Sequence, residues 1–505
     1  MNRSSAVANW KSALAGSLSG ARPDLAQQLT EHLGATAMVD SPLAGMTIGE
    51  LGVVYEGLLA HSDHEARRAA GQYFTPDDVS LFMVSQAARF PGGSWLDPAC
   101  GVGNLSWHLT RSQQDPSAFL TEQLHLVDKD EVALASAQAI LTAAFARPDG
   151  EEVLPALVAH SRAVDFLDED VDVGTDYVLM NPPYGRCESR DYLSTAHTRE
   201  LYAYFLEKAV RGSKGVIAIT PSSFLGGAKY GTVRRGLETR RGRAYVFDNV
   251  PDTVFSGVKY GSENSSKANF VRSCITVVLP GGPASGVIGD GGINPNWQVT
   301  PIIRWRSTSR KRMWREIEGY LVPLRHGPAG DWARIMPGTE RLWDSLWGGR
   351  RMSDLLTREQ SAYPLWVAST PRYYISASAR PLDRKSQHVL FFPTSQARDK
   401  AYLALNSSLS YWWWRCLDGG ITLQKRTLTT LPLPESLDRV VRERPDLVQR
   451  LVASDTEDLK VKLNAGRKNE NVRRPSDLIA EIDQAVLPEV PASLQAVFAQ
   501  DMFAA

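Results

Sequence analysis

The 505-residue chain is 43% hydrophobic and 22% charged, with 56 basic and 56 acidic side chains, which excludes collagen-like, disordered and disulfide-dense proteins. It contains no apolar run of about 18 residues and no signal-peptide pattern, so we expect no membrane span and a cytoplasmic location. Its four widely spaced cysteines, without a CxxC pair, predict free thiols and no metal site.

Charge and tryptophan are unevenly distributed along the chain. Residues 1–185 contain 10 basic and 24 acidic side chains, a net charge of −14, whereas residues 300–440 contain 22 and 12, a net charge of +10. Ten of the 13 tryptophans fall at or after Trp297. Basic and aromatic side chains together suit a nucleic-acid surface, because cations neutralise phosphates and flat rings stack on bases. A core of tryptophans beneath a solvated face of arginines is equally compatible with the pattern.

Residues 1–70 form a predicted helical N-terminal segment. Five apolar or aromatic side chains recur there at the spacing of one helix face, namely Leu51, Val54, Tyr55, Leu58 and Leu59. From 71 to 285, short apolar runs that end in Gly, Asn, Asp or Pro alternate with helical stretches: SWLDPACG, HLVDKD, YVLMNPPYG, GVIAITP, AYVFDN and SCITVVLP. This alternation predicts an α/β domain whose mostly parallel sheet is covered on both faces.

A segment rich in Gly and Pro predicts a domain boundary near residues 280–300. Residues 300–440 then form a second, mixed α+β domain, in which Trp412–Trp414 are predicted to fill the core from a helix. Residues 441–505 are predicted to be a helical C-terminal segment.

Three strand ends in the α/β domain carry polar residues. Asp97 ends the first run and is followed by Gly101 and Gly103, a tight turn at which backbone can approach a ligand. A carboxylate there pairs with a ligand ammonium group, which a pyrophosphate does not have. Asp128 ends the next run and is placed to accept from ribose hydroxyls, and Asp165-Phe166 follows with a carboxylate and a ring suited to a purine. The predicted ligand is a nucleoside with an amino-acid-like end.

The most specific segment is Asn181-Pro182-Pro183-Tyr184, a rigid turn after an apolar run. Proline has no N–H and fixes its own φ, so the turn presents the Asn181 amide oxygen and the Pro182 carbonyl as two acceptors suited to one NH₂ group. Such acceptors make the nitrogen a better nucleophile and stabilise the charge that develops during attack. Tyr184 offers a flat face for a base taken out of its stack.

Together these segments resemble the gamma-class DNA amino-methyltransferases, which form N6-methyladenine from S-adenosyl-L-methionine. The resemblance covers about residues 45–280 and also rests on the GQYFTP segment at 71–76, which precedes the glycine-rich loop as in that class. It implies a Rossmann-like methyltransferase domain with a seven-stranded sheet at 71–285, a target-recognition domain at 300–440, and double-stranded DNA as substrate. The sequence departs from common members in having Asn104 after the glycine-rich loop and a polar insert at 256–272.

The resemblance also implies residue roles. Eight residues would bind the cofactor: Tyr73 and Thr75 at its methionine end, Asp97, Gly101 and Gly103 at its amino-acid portion, Asp128 at its ribose, and Asp165 and Phe166 at its adenine. Four would bind the flipped base: Asn181, Pro182, Tyr184 and, as a second stacking aromatic, Phe255. Methyl transfer would be direct, without a metal or a covalent enzyme intermediate.

Other functions are compatible with the same turn. One is methylation of a glutamine side chain in a protein, although proteins with that activity lack a basic, tryptophan-rich second domain. A second is N4-cytosine methylation, although enzymes with that activity usually have a Ser-Pro-Pro turn in place of Asn-Pro-Pro. A third is a modification subunit that needs a partner, such as a restriction or other defence-system subunit, and has little activity alone.

Overall fold

The computed structural model describes residues 3–62, 75–148, 150–255, 271–282, 292–371, 373–420, 422–464, 467–487 and 489–504. Tyr73 and most of the polar insert at 256–272 lie outside these ranges. The chain divides into two compact units, one of residues 1–224 and 229–286, the other of residues 225–228 and 287–505. Within the described ranges, no helix combines the length and the apolar character needed to cross a membrane.

The first unit has seven adjacent strands of a sheet. Its strands are β1 (Trp95–Asp97), β2 (Leu124–Val127), β3 (Ser161–Arg162), β4 (Tyr177–Met180), β5 (Gly215–Pro221), β6 (Arg241–Phe247) and β7 (Ser273–Leu279), in the order β3-β2-β1-β4-β5-β7-β6. β1 pairs in parallel with β2 and β4, β2 with β3, and β4 with β5. β7 is antiparallel to both β5 and β6. The predicted Rossmann-like α/β fold with a mostly parallel sheet is confirmed.

The apolar runs became central strands because both of their faces are covered. All four side chains of β4 and the first six of β5 are buried, as expected for a sheet packed between helix layers. Six of the seven strands coincide with the apolar runs in the sequence. β3 has only two residues, which is too short for a hydrophobic pattern to reveal.

Ten helices of the first unit surround this sheet in the described ranges: α1 (Arg3–Ala21), α2 (Ala26–Leu33), α3 (Ile48–Ser62), α4 (Asp77–Ala87), α5 (Asn104–Arg111), α6 (Pro116–Glu122), α7 (Glu131–Phe145), α8 (Val153–Ala159), α9 (Leu201–Gly212) and α10 (Gly231–Glu238). The N-terminal helices pack on α7, because the Trp10 indole donates to Ser136 Oγ at 2.9 Å and its ring lies 5.0 Å from that of Tyr55. The N-terminal segment is therefore part of the core of the first unit.

The second unit is mixed α and β. Its strands are β8 (Ile293–Ile303), β9 (Val322–His326), β10 (Trp332–Ala333), β11 (Tyr363–Ala368), β12 (Ala377–Ser378), β13 (Gln387–Phe392), β14 (Leu459–Asn464) and β15 (Arg467–Val472). Its helices are α11 (Arg310–Glu316), α12 (Glu340–Leu346), α13 (Ser395–Asn406), α14 (Ser408–Leu417), α15 (Lys425–Thr429), α16 (Leu437–Glu443), α17 (Pro445–Glu457) and α18 (Ser476–Val486). The C-terminal segment differs from a purely helical one, because the hairpin β14–β15 lies between α17 and α18.

The tryptophans of the second unit are core residues. Seven of them are at most 2% exposed: Trp297, Trp305, Trp332, Trp343, Trp412, Trp413 and Trp414. Six arginines are buried too, so they are not a solvated face: Arg304, Arg325, Arg334, Arg384, Arg415 and Arg474. Arg474, for example, is paired with the buried Asp455 and donates to the Leu451 carbonyl at 2.7 Å. Much of the basic excess of this region is therefore used inside the fold.

Candidate functional site

A cavity of about 170 Å³ lies where β1, β2 and β4 end at their carboxyl edge. Parallel strands of an open sheet bind ligands at this edge. Eight of the predicted site residues line the cavity: Thr75, Asp97, Gly101, Asp128, Asp165, Phe166, Asn181 and Pro182. Three others, Gly103, Tyr184 and Phe255, belong to the same unit but are not part of the lining. The twelfth, Tyr73, lies outside the described residues.

Asp97, the last residue of β1, is 2% exposed. Its Oδ2 accepts a hydrogen bond from Ser106 Oγ at 2.9 Å, and its Oδ1 has no hydrogen-bond partner among the described residues. Burial raises the pKa of this carboxyl to about 7, against the lowering effect of the Ser106 hydrogen bond. A buried carboxylate oxygen without a partner is unfavourable, and a charged donor such as a ligand ammonium group would stabilise it.

Asp128 lies after β2 and is held by backbone amides. Its Oδ2 accepts from the Gly101 N–H at 2.8 Å and its Oδ1 from the Asp130 N–H at 2.9 Å. Burial raises its pKa, although these amide bonds favour the ionised form. The hydrogen bond from Gly101 to Asp128 connects the glycine-rich loop to the end of β2. The two segments predicted to bind the cofactor are therefore held together by the Asp128 side chain.

Gly103 and Asn104 shape the loop. Gly103 has a φ of +91°, and a β-carbon there would meet the Ala137 β-carbon at 3.1 Å, so glycine allows the loop to pack closely on α7. The Asn104 amide donates to the Thr75 carbonyl at 2.7 Å and to Ser80 Oγ at 2.9 Å. The residue that departs from common family sequences therefore fixes the segment that carries Thr75.

Asp165 and Phe166 form the far side of the cavity. Asp165 Oδ1 accepts from the Leu167 N–H at 2.9 Å, and its Oδ2 accepts from Arg190 Nη2 at 3.1 Å. The Phe166 ring is 1% exposed and lies 5.1 Å from the ring of Phe205. The cavity thus has an oriented carboxylate beside a fixed aromatic ring, as a purine requires.

Asn181 follows the last residue of β4. Its Nδ2 donates to Thr75 Oγ1 at 2.9 Å, which fixes the rotation of the amide group. Pro182 and Pro183 also line the cavity, so the Asn-Pro-Pro turn borders the same space as the buried carboxylates. The group predicted to bind the target amine and the groups predicted to bind the methyl donor therefore share one cavity.

Tyr184 and Phe255 are neighbours. The Tyr184 hydroxyl donates to the Ile219 carbonyl on β5 at 3.2 Å, which anchors its ring. The two ring centroids are 6.2 Å apart with an interplanar angle of 65°. The structure brings together the pair predicted to hold a flipped base, but as an edge-to-face contact rather than as two parallel walls.

Some residues of the site were not identified from the sequence. Tyr55 and Glu56 of α3 line the cavity, and the Tyr55 hydroxyl donates to Asp130 Oδ2 at 2.8 Å. Asp130 also caps α7 by accepting from the Val132 N–H at 3.0 Å. The helical spacing assigned Tyr55 to an apolar face and gave no sign of its hydroxyl contact. The sequence of α5 likewise did not indicate that the Ser106 hydroxyl would donate a hydrogen bond to Asp97.

The charges of the cavity suit S-adenosyl-L-methionine, which carries a sulfonium and an ammonium group. Five carboxylates and one lysine line it: Glu56, Asp97, Asp128, Asp130, Asp165 and Lys129. This excess of negative charge, with the buried Oδ1 of Asp97, fits a cationic ligand. In the described part of the chain, no group of three His, Cys, Asp or Glu side chains could hold a metal ion. The four cysteines are free, and burial raises the pKa of Cys100 and of Cys187, as for unreactive thiols.

Comparison with known proteins supports this assignment. The family model described as N-6 DNA Methylase matches residues 47–203. The methylase subunit of the type I restriction enzyme EcoEI from Escherichia coli is 26% identical over 222 residues, which is 41% of this chain and 43% of that subunit. This chain therefore aligns with less than half the length of that curated relative.

Two solved structures are similar at low identity. A modification subunit of a putative type I restriction enzyme from Vibrio vulnificus is 15% identical, with 62% of this chain and 71% of that chain covered and a TM-score of 0.38. The type IIG restriction endonuclease BpuSI is 12% identical, with 99% and 77% covered and a TM-score of 0.42. Residues 47–203 of this chain are therefore similar in sequence to the N-6 DNA methylases.

Proposed function

We propose that this protein transfers the methyl group of S-adenosyl-L-methionine to the N6 amino group of adenine in double-stranded DNA, at a specific sequence and after flipping the base, within a restriction-modification or other defence system. The observation that carries the proposal is the position of Asn181, which borders the cavity that also contains Asp97 and Asp128. The Asn form of the turn favours adenine over cytosine. The residues of the second unit are proposed to recognise the target sequence.

The proposed chemistry needs only positioning and electrostatics. The cofactor supplies an activated methyl group. Asp97 binds and orients its ammonium end, and Asp128 its ribose. Asn181 and the Pro182 carbonyl accept hydrogen bonds from the target amine, which raises the nucleophilicity of the nitrogen and stabilises its developing positive charge. Tyr184 and Phe255 contribute aromatic surface to the extruded base, which requires their present edge-to-face contact to open.

Single-molecule sequencing of genomic DNA from a methylation-free host that expresses this chain alone tests the proposal. We expect N6-methyladenine at one short motif and none in the host with an empty vector. Methylation of cytosine at N4 would reassign the base. A protein methylated on glutamine, with unmodified DNA, would contradict the proposal as a whole.

A partner-dependent modification subunit is the second candidate. It is favoured by the similarity to a protein named as a methylase subunit, of which this chain matches 43%. In that case the chain alone leaves the genome unmodified, and co-expression with a specificity or restriction subunit restores the modified motif. The purified chain would still bind S-adenosyl-L-methionine, because the cavity lies within one unit of this chain.

Arg190→Ala is expected to raise the Kd of S-adenosyl-L-methionine by roughly threefold to fivefold, the effect of losing an ion pair at the surface. Arg190 Nη2 holds Asp165 Oδ2 at 3.1 Å, and its Nη1 lies 3.7 Å from Asp168 Oδ1. Without it, the Asp165 carboxylate loses one of the two bonds that orient it toward the adenine. Isothermal titration at low ionic strength measures the change.

Arg186→Ala is the matched control, because Arg186 lies on the same loop, is 85% exposed and is 3.9 Å from Glu200 rather than near Asp165. Its Kd is expected to equal that of the wild type. Equal effects of the two substitutions would show that net charge, and not the orientation of Asp165, determines the affinity.

A further inference from the structure

The hairpin β14–β15 has no part in the site described above. Its strands pair antiparallel over six residues each, from Leu459 opposite Val472 to Asn464 opposite Arg467. At about 3.4 Å per residue, the ribbon is roughly 20 Å long. It is a separate two-stranded sheet, and a ribbon of this kind leaves both of its faces available for contacts other than strand pairing.

The pairing register gives the two faces different chemistry. Because side chains alternate along a strand, Lys460 and Lys462 share one face with the residues paired opposite them, Asn471 and Asn469. We call this the lysine-asparagine face. The opposite face contains Leu459, Val461, Leu463, Lys468, Glu470 and Val472. Glu470, the one acidic residue among the paired positions of the hairpin, thus lies on the opposite face.

Both faces attach the base of the hairpin to its unit: on the lysine-asparagine face the Asn471 amide oxygen accepts from Arg384, and the opposite face contributes Val472 and Glu470. Val472 is fully buried, and the Glu470 carboxylate accepts from the Asp383 N–H at 2.9 Å. Toward the turn the opposite face opens to solvent, where Val461 is 53% and Leu463 72% exposed. The base of the hairpin is therefore fixed, whereas its outer half is accessible.

The lysines of the lysine-asparagine face are exposed. Neither Lys460 nor Lys462 forms an ion pair with any residue that the structure describes. Two like charges at alternate positions of one strand lie about 7 Å apart and repel each other. An anionic ligand that extends along the ribbon relieves this repulsion, and Asn469, paired opposite Lys462, adds an amide group beside it.

We propose that the lysine-asparagine face of this hairpin binds double-stranded DNA, with Lys460 and Lys462 on phosphates. The inference rests on the proposed function, since it names a second contact for the same substrate. Two strands about 5 Å apart fit the major groove, which is about 12 Å wide, and the ribbon spans about half a helical turn of DNA. Asn469 then lies beside the phosphate contacts, where an amide group reaches base edges or sugars.

The test compares the full-length wild type with the double variant Lys460→Gln/Lys462→Gln. The probe is a fluorescent DNA duplex that contains the methylated motif, titrated by anisotropy over a range of KCl concentrations. Each phosphate contact contributes about 0.9 to the slope of log K against log salt, so the slope is expected to fall by about 2. The Kd near 100 mM salt is expected to rise by about tenfold or more.

Lys468→Gln is the matched control, because Lys468 is an exposed lysine of the same hairpin on the opposite face. Its Kd is expected to stay within about twofold of the wild type. All three lysines are exposed, so the thermal melts of the variants should coincide with that of the wild type. This shows that the substitutions act on binding and not on folding.

Two outcomes overturn the proposal while the proposed function stands. In the first, the wild type binds and methylates DNA but the double variant keeps the same Kd and salt slope. In the second, Lys468→Gln weakens binding as much as the double variant, which would make the effect one of general surface charge. If the wild type itself neither binds nor methylates duplex DNA, alone or with a partner subunit, the proposed function fails and this inference fails with it.

Discussion

Asn181→Ala is expected to lower kcat by at least about 100-fold while the Kd of S-adenosyl-L-methionine stays within about threefold of the wild type. The amide of Asn181 is fixed by its hydrogen bond to Thr75 Oγ1 and borders the cavity. Its proposed bond to the target amine strengthens as positive charge develops on the nitrogen, and removing one preorganised partner of a transition state lowers kcat by about 100-fold to 1000-fold. Single-turnover methylation of the identified duplex and calorimetric cofactor titration measure the two effects.

Thr75 supplies the graded control for Asn181. Thr75→Val keeps the volume of the side chain but removes the oxygen that accepts from Asn181 Nδ2, so the amide can rotate and kcat should fall by about tenfold. Thr75→Ser keeps the oxygen and should retain most of the activity. If Asn181→Ala methylated at a near wild-type rate, or if it lost cofactor binding in parallel with kcat, Asn181 would not be the group that activates the amine.

The sheet of the first unit could be predicted because its strands are buried on both faces. A strand such as β4, with four buried side chains, must be a continuous apolar run, and the residue after it must be polar if it is to meet a ligand. Asn181 and Asp97 were found by this reasoning, since strand ends at one sheet edge necessarily converge. The same reasoning could not reveal β3, which has only two residues.

Contacts made by side chains on distant segments could not be predicted. The Tyr55 hydroxyl reaches Asp130 across 75 positions of the sequence, and helical periodicity reports only that the ring faces the core. The orientation of Asp165 by Arg190 depends in the same way on how the loop after the Asn-Pro-Pro turn folds back. The sequence identifies which residues end the strands but does not identify the residues that orient them.

Local patterns were least informative in the second unit. A basic segment rich in tryptophan was compatible with a DNA surface, yet Trp412 is fully buried and Arg474 is paired with Asp455 inside the core. Arginine is expected at the surface on average, and only the fold determines which arginines are enclosed by carbonyl and carboxylate acceptors. The alternation of Lys460, Val461, Lys462 and Leu463 is a strand pattern in retrospect, but the helical stretches on both sides concealed it.

Asp97→Asn is expected to weaken cofactor binding and to stabilise the cofactor-free protein. Burial raises the pKa of Asp97 from its usual 3.8 to about 7. Between these two pH values the folded state binds more protons than the unfolded state, so ionisation of Asp97 destabilises the fold progressively from about pH 4 to pH 7 and fully above it. At pH 8 the substitution should therefore raise the free energy of unfolding by about 2–4 kcal/mol.

The pH dependence separates this charge effect from other consequences of the substitution. At about pH 3 and below, under the usual pKa of 3.8, the wild-type carboxyl is mostly protonated in both states, so urea unfolding should give similar free energies for the wild type and Asp97→Asn. Ser106→Ala offers an independent control, because it removes the 2.9 Å hydrogen bond to Asp97 Oδ2 that favours the ionised form. In the Ser106→Ala background, Asp97→Asn should therefore raise the free energy of unfolding at pH 8 by more than it does in the wild type. A stability difference that is constant with pH would show that the charge of Asp97 is not its origin.

Ionisation of Asp97 lowers the stability of the cofactor-free protein but should raise its affinity for the cofactor. The ionised carboxylate attracts the ammonium group, so wild-type affinity should be highest above pH 7 and fall by about tenfold for each pH unit below it. In Asp97→Asn the affinity should be at least about 100-fold lower at pH 8, as when one partner of a buried ion pair is lost, and nearly independent of pH. A site that binds a cation with a buried carboxylate is destabilised until the ligand arrives, so the two measurements on Asp97 should change together.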